Sequence, residues 1–239
     1  MKVDILAFAA HPDDIEISCS GTLMKHIEMG YKVAVIDLTQ GELGTRGNVA
    51  TRKKEASEAS KILGIVDRQN LKMEDCFFHC SESNKKKVIS MIRKYQPKLV
   101  FANSVKDRHP DHAKASNLVS EACFLSGLPK VKTELNGVSQ NAWRPKAVYH
   151  YIQDYYIEPD FIVDISNQMD KKMMAIKAFK TQFYNPDSKE PETPISREDF
   201  LEFIKARARN YGRLIKKEYA EGFTVEVPLM INDVLKTIE

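Results

Sequence analysis

The sequence predicts an α/β fold: a Rossmann-like three-layer α/β/α arrangement around a mostly parallel sheet. Three observations lead there. Short apolar runs alternate with amphipathic stretches through the first half of the chain. The apolar runs lack the every-other-residue polarity of a one-sided strand, so both faces of the sheet should be covered. Polar segments rich in histidine and aspartate follow two of those runs directly, where open parallel sheets place their ligands. With 239 residues, 43% apolar and 29% charged, the chain reads as one globular domain over 1–239.

The elements are read in order. Val3–Ala9 is apolar and suits a buried parallel strand. A polar loop follows, then a helix over Gly21–Met29 that stops at Gly30. Lys32–Leu38 is the second strand, and the loop Thr39–Asn48 carries three glycines. Thr51–Leu63 is a helix with Ala56, Ala59, Ile62 and Leu63 on one stripe, closed by Gly64. Leu71–Met73 is a short strand. Ser83–Tyr95 is a helix with Val88, Ile89 and Ile92 inward, and Pro97 ends it. Lys98–Ala102 is the next buried strand, and His112–Ser126 a helix ending at Gly127. Beyond it the rhythm weakens. Lys130–Trp143 reads as a long loop, Ala147–Ile152 and Phe161–Ile165 as strands, and Met169–Lys180 as a helix. Gln182–Pro194, with three prolines, reads as a mobile polar loop. Ser196–Glu218 reads as a long amphipathic helix with a capping box between Ser196 and Asp199.

Charge and hydropathy narrow the function. The 36 basic and 33 acidic residues leave a net charge of +3, too even for the basic stripe of a nucleic-acid binder. The longest apolar run near the start, Ile5–Ala10, falls far short of the ~20 residues of a membrane span. It also lacks the pattern of a signal peptide. No nucleic-acid or membrane partner is therefore expected, and the location is predicted to be cytoplasmic. The four cysteines form no Cys-x-x-Cys pair and read as reduced thiols. Cys76, His79 and Cys80 crowd together, but a fourth ligand at zinc-site spacing is missing.

Two stretches carry the chemistry. Ala10-His11-Pro12-Asp13-Asp14 follows the first strand, and Asp107-Arg108-His109-Pro110-Asp111-His112 follows the strand Lys98–Ala102. Each alone also suits a turn entering a helix. Together they place three of the chain's six histidines at the carboxyl edge of the sheet. His11, Asp14 and His112 offer two imidazoles and a carboxylate, a catalytic zinc set with a fourth position for water. Asp13, beside a ligand but pointing elsewhere, is free to act as general base. His109 is placed to donate to a developing oxyanion, especially if protonated. Asp111 orients His109 or backs a ligand from behind. Elsewhere, His26 reads as a solvated helix residue, His79 as a loop residue and Trp143 as packing, while His150 is close enough in the pattern to reach the pocket.

At these two motifs the chain resembles the LmbE/PIG-L family of zinc-dependent N-acetylglucosaminyl deacetylases. Within it, the chain is most similar to the bacillithiol-biosynthesis branch, which acts on N-acetyl-α-D-glucosaminyl L-malate. Softer support comes from Asp37–Gly47, Arg52 with Glu55, Asn70–Met73, Tyr151–Ser166 and Tyr219–Phe223. The resemblance implies a Zn2+ or other divalent-metal enzyme that hydrolyses an amide, releasing acetate from a small N-acetylglucosaminyl substrate. It implies His11, Asp14 and His112 as metal ligands, Asp13 as base and His109 as oxyanion stabiliser. It further implies Arg52, Arg108 and Asp75 as substrate-binding residues, and a homo-oligomer, up to a hexamer. One departure stands out: the family's Met-Pro-Asp-Gly is here Met73-Glu74-Asp75-Cys76, which alters the turn presenting Asp75. Two rivals remain at this stage. One is a deacetylase of another N-acyl sugar. The other is a sugar- or metal-binding module without catalysis, which has no need of the free base Asp13.

Overall fold

The computed structural model describes residues 1–237. Its elements alternate from the start: β1 (Ile5–Ala9), α1 (Asp14–Ser18), α2 (Ser20–Glu28), β2 (Val33–Thr39), α3 (Val49–Leu63), β3 (Asp67–Met73), α4 (Glu82–Tyr95), β4 (Leu99–Ala102) and α5 (Pro110–Ser126). A small hairpin follows, β5 (Glu134–Leu135) and β6 (Val138–Ser139), then β7 (Ala147–Tyr151), β8 (Phe161–Asp164), α6 (Met169–Lys177), α7 (Glu198–Leu214) and β9 (Ala220–Val225).

Seven strands form one sheet in the order β3-β2-β1-β4-β7-β9-β8. β3, β2, β1, β4 and β7 pair in parallel, and β9 pairs antiparallel with β7 and β8. The α/β class with a mostly parallel sheet is therefore as the sequence predicts. Both faces are covered, which is why the strands read as unbroken apolar runs. Leu6, Phe8, Ala34 and Ile36 pack with Val88, Ile89 and Ile92 of α4 and with Leu118, Val119 and Ala122 of α5. Ile5, Ala7, Val33 and Val35 face the other way, onto Ile15 of α1 and Leu23 of α2. A further apolar layer joins Ala56 and Ala59 of α3, Met169, Met173 and Ile176 of α6, and Phe200, Leu201 and Ile204 of α7. No described helix is long and apolar enough to cross a membrane.

The topology fixes where a ligand can sit. From β1 the chain steps outward through β2 to β3, then returns to β4 on the other side of β1. The crevice above β1 and β4 is thus the switch point of the sheet, and ligands of such sheets bind there.

Several local expectations differ. The polar stretch before Gly21 is helical, as α1. The third strand runs over Asp67–Met73 rather than Leu71–Met73; it is an edge strand, half-exposed, so its polar residues hide its period. Within Lys130–Trp143, Asn136 and Gly137 both take positive φ (52° and 76°), the turn that joins β5 to β6. The capping box is absent: Arg197 is the N-cap of α7, and the Ser196 hydroxyl donates to the Thr193 carbonyl instead. α7 ends at Leu214, and the chain reverses through Lys216 at φ 59°. The segment Gln182–Pro194 is tied down at several points. The Arg46 guanidinium bonds Ser188 Oγ, Gly47 N donates to Glu190 Oε1, and Gln182 Nε2 donates to the Arg46 carbonyl.

β9 (Ala220–Val225) likewise has no counterpart in the sequence reading. Its Glu221 is buried inside the molecule with a task of its own. Oε1 accepts from Gly21 N (3.0 Å) and from Lys172 Nζ (2.7 Å), and Oε2 accepts from Thr22 N (2.7 Å). α2 has no side-chain N-cap of its own, so this carboxylate closes its first turn from the far end of the chain.

Candidate metal centre and active site

His11, Pro12, Asp13 and Asp14 leave β1 and turn at once into α1. The turn is strained: Asp13 adopts φ 125°, ψ −22°, a region that costs a non-glycine residue about 1–3 kcal/mol. Although it stands at the N-cap of α1, Asp13 makes no capping hydrogen bond. Its Oδ2 instead accepts from Arg52 NH2 at 2.9 Å, and among the described residues Oδ1 accepts none. Arg52 also donates to the carbonyls of Pro12 and Gly41. Gly41 (φ 63°) has to be glycine, since a Cβ there would lie 2.1 Å from the Arg52 guanidinium.

Asp14 is held on every side. Its Oδ2 accepts from His11 N and Asn103 Nδ2, both at 2.9 Å, and its Oδ1 from Gln153 Nε2 at 3.0 Å. Asn103 is itself fixed by Ala10 N and by Gln153 Oε1. The carboxylate therefore cannot turn away from the crevice. Two histidines face it, with His112 Nε2 3.2 Å from Oδ1 and His11 Nδ1 3.8 Å from Oδ2.

The far nitrogen of each of these imidazoles meets another carboxylate. His112 Nδ1 bonds Asp107 Oδ2, and His11 Nε2 lies 3.1 Å from Asp75 Oδ1 and 3.5 Å from Asp111 Oδ2. Metal-binding histidines are oriented in this way, by a carboxylate behind the ring. Two donors on a tetrahedral zinc lie about 3.3 Å apart, so the 3.2 Å between His112 and Asp14 suits ligands of one cation. Two donor sets lie within 4.8 Å throughout, His11–His109–His112, with His109 half-buried, and His11–Asp75–Asp111; Asp14 belongs to neither. The cluster as a whole fits a divalent cation.

The charges carry the mark of this crowding. Burial opposes the shift, yet the Asp14 charge and the hydrogen bond to Asp107 push His112 up to about 9. His11 is raised too, against burial, by Asp111, Asp14 and Asp75. Asp14 is held well below the usual carboxylate range by His112 and His11, despite its burial. Asp13 differs from its neighbour. Burial and the nearby Asp14 charge push it up to about 7, with Arg52 pulling the other way. Two adjacent carboxylates thus have separate behaviours, a mark of functional sites.

His109 departs from expectation in its charge. Burial, together with His11 and His112, brings it down to about 4, so it is neutral at pH 7. Its Nδ1 accepts from the Asp111 backbone N–H at 3.2 Å, which leaves the ring proton on Nε2. A neutral His109 therefore remains a hydrogen-bond donor. The Asp111 backbone, rather than its carboxylate, orients this ring. The carboxylate bonds Cys76 N and Lys114 Nζ and stands behind His11.

A family model described as PIG-L, GlcNAc-PI de-N-acetylase, matches residues 6–123. The conserved protein TT1542 of Thermus thermophilus, a solved structure, is 33% identical, covers 97% of this chain and 98% of its own, and superposes with a TM-score of 0.86. The chain belongs to the PIG-L family. Diacetylchitobiose deacetylase of Thermococcus kodakarensis is 28% identical over 91% of this chain and 81% of its own length. A protein of Bacillus cereus named as a probable N-acetyl-alpha-D-glucosaminyl L-malate deacetylase 2 is 25% identical over 76% of this chain and 84% of its own.

The other residues assigned by resemblance to this PIG-L chain sit unequally. Arg52 is buried and committed to Asp13, with its Nε unpartnered among the described residues. Arg108 is 41% exposed in its side chain and pairs with Asp154 at 2.7 Å. Asp75 faces His11, and the altered turn after it is kept: Cys76 takes φ 62°, the conformation that favours the family's glycine. His150 is buried away from the crevice, between Ser116, the Asn103 carbonyl and Glu226. His79 is exposed, and neither Cys76 nor Cys80 belongs to a metal-capable group among the described residues. Trp143 packs beside the core and donates to the Pro97 carbonyl.

Sequence reasoning missed three site residues. Asp107 lies just ahead of the His-Pro-Asp-His motif, and a carboxylate five residues before a ligand histidine is a readable signal. Asn103 and Gln153 had none, because buried amides look like any polar residue in a loop.

Proposed function

We propose that this protein is a divalent-cation-dependent deacetylase acting on an N-acetylated sugar conjugate. The observation that carries the reading is the pairing at one turn: Asp14 faces two carboxylate-backed imidazoles, while Asp13, one residue away, keeps an oxygen free. A binding module has use for the first arrangement and none for the second.

In this reading His11, Asp14 and His112 hold the cation. When bound, a zinc-class cation polarises a carbonyl and acidifies water at its open position. Asp13 takes the proton of the attacking water, with Arg52 fixing the carboxylate and leaving Oδ1 to face it. His109 donates from Nε2 to the carbonyl oxygen as negative charge develops there, and needs no positive charge to do so. Asp13 then carries the proton that the departing amine requires. Asp107, Asp75 and Asp111 keep the two ligand rings turned inward.

The finer reading is that the substrate is GlcNAc-malate. Arg108 supports it better than Arg52, since its guanidinium is half-exposed and a substrate carboxylate can compete with Asp154 for it. The test is acetate release from GlcNAc-malate, free GlcNAc and diacetylchitobiose, with metal content measured on the same samples. His112→Ala is expected to lose both metal and turnover; full metal occupancy in that variant overturns the ligand assignment. GlcNAc-malate is expected to exceed free GlcNAc in kcat/KM by at least about tenfold, the worth of one charged hydrogen bond. Equal rates on the two remove malate and leave the deacetylase reading in place.

A further inference from the structure

His150 is a buried histidine that the site itself does not use. It lies on β7, 3% exposed, with its ring held at both ends. Nε2 is 3.0 Å from Glu226 Oε1, just past β9. Nδ1 is 2.9 Å from the Asn103 carbonyl, just past β4, and 2.9 Å from Ser116 Oγ on α5. A carbonyl only accepts, so Nδ1 carries a proton and donates it there. The Ser116 hydroxyl oxygen accepts from the same N–H.

A core histidine satisfied by a carbonyl is ordinary. What sets this one apart is the role of the residues it bonds. Asn103 is the clamp on Asp14: its Nδ2 donates to Asp14 Oδ2 and its Oδ1 accepts from Ala10 N, both at 2.9 Å. Ser116 lies four residues beyond His112 on α5, one turn along the same side of the helix. One N–H therefore joins the support of Asp14 to the helix that carries His112. The end of β4 and the start of α5 are otherwise linked along the chain by the loop 103–109. A loop of that length does not by itself fix the 3.2 Å between His112 Nε2 and Asp14 Oδ1.

Serine, histidine and glutamate in one row also make up a hydrolytic triad. Here the ring proton points at Ser116, so the serine faces a donor where a nucleophile needs a base. At 2% exposed, its hydroxyl is also closed to any substrate.

We infer that His150 is a positioning residue for the cation site, a strut that sets the spacing of Asp14 and His112 through Asn103 and Ser116. It touches neither ligand. The inference rests on the reading of those two residues as cation ligands, and metal binding tests it without turnover.

The experiment compares His150→Asn with His150→Gln. An asparagine amide nitrogen falls where Nδ1 stands and keeps a donor for Asn103 and Ser116. A glutamine amide nitrogen falls where Nε2 stands, keeps a donor for Glu226 and leaves Asn103 and Ser116 without one. Zinc affinity is read by chelator competition, ligand geometry from the visible absorption bands of the cobalt-loaded protein, and stability as Tm. His150→Gln is expected to bind zinc about tenfold more weakly, the low end of what an outer partner of a ligand is worth, and to shift the cobalt bands. His150→Asn is expected to stay within about threefold of wild type with its bands in place, although both variants lower Tm. A histidine that merely fills the core predicts the reverse order, since glutamine is nearer to it in size. Wild-type zinc affinity and bands in His150→Gln overturn the strut, as does equal weakening in the two variants. Where His150→Gln does not fold, Ser116→Ala carries the test. It is expected to weaken zinc about threefold and to shift the bands, and wild-type values in it overturn the strut. If the binding pattern holds while the unaltered protein releases no acetate from N-acetylated sugars, the strut stands and the deacetylase reading fails.

Discussion

Asp107→Asn separates the orientation of a ligand from the integrity of the fold. The buried Asp107 carboxylate accepts from His112 Nδ1, from Asp154 N at 3.0 Å and from Tyr155 N at 2.8 Å. Because Nδ1 donates to it, His112 can offer the Nε2 lone pair to a cation held beside Asp14. An asparagine keeps one oxygen for the two backbone donors, but turns an N–H toward the imidazole. His112 then carries its proton on Nε2, the atom that a cation needs. Loss of such an outer partner costs 10–100-fold in metal affinity, about 1.4–2.7 kcal/mol. Asp107→Ala adds the loss of both loop anchors, the half-buried Asp154 N–H and the exposed Tyr155 N–H, and is expected to destabilise the fold by about 1–2 kcal/mol. Zinc affinity is read by competition with a chromophoric chelator, and stability by urea unfolding. A weakened Asp107→Asn affinity with a near-normal unfolding midpoint supports the argument. An affinity within twofold of wild type refutes it.

Asp13→Asn is expected to keep its zinc, because Asp13 is not a ligand, while kcat falls about 10²–10⁴-fold. Asp13 is raised to about 7, so its proton-accepting form is lost as pH drops through that value, and a bound cation moves the midpoint lower. Removing Arg52, whose charge opposes the rise, shifts the acid limb of kcat/KM against pH upward in Arg52→Ala; a limb that stays in place excludes the ion pair from the mechanism. Glu221→Ala leaves the buried Lys172 ammonium unpaired and the first turn of α2 uncapped. A destabilisation of about 3–5 kcal/mol is expected, read as a lower Tm, and a loss under 1 kcal/mol contradicts it.

Much of the site was legible because its signals are local. His11, Asp13 and Asp14 lie within four residues after an apolar run, and His109 and His112 within one turn after another, so the strand ends alone bring them together. What stayed hidden depends on distance. Asn103 and Gln153 lie 89 and 139 residues from the Asp14 carboxylate they hold. β9 was invisible because Glu221 and Gly222 break its apolar pattern, and the reason for a buried glutamate there is a helix start 200 residues away. The neutral state of His109 was equally unreadable, since it follows from two imidazoles arriving from different loops.

That same long reach bears on how the chain is made. Synthesis proceeds from the amino end at roughly 5–20 residues per second, and segments fold as their contacts emerge. β1, β2 and β4, with the two histidine motifs, leave the ribosome long before Glu221 does. Until then the start of α2 has exposed amide groups, Lys172 has no counter-ion, and β7 has an open edge where β9 will pair. The centre is therefore assembled early and secured late. An incomplete chain would present a polar helix end and an unpaired strand edge together, a pairing that invites association with other nascent chains or capture by a chaperone.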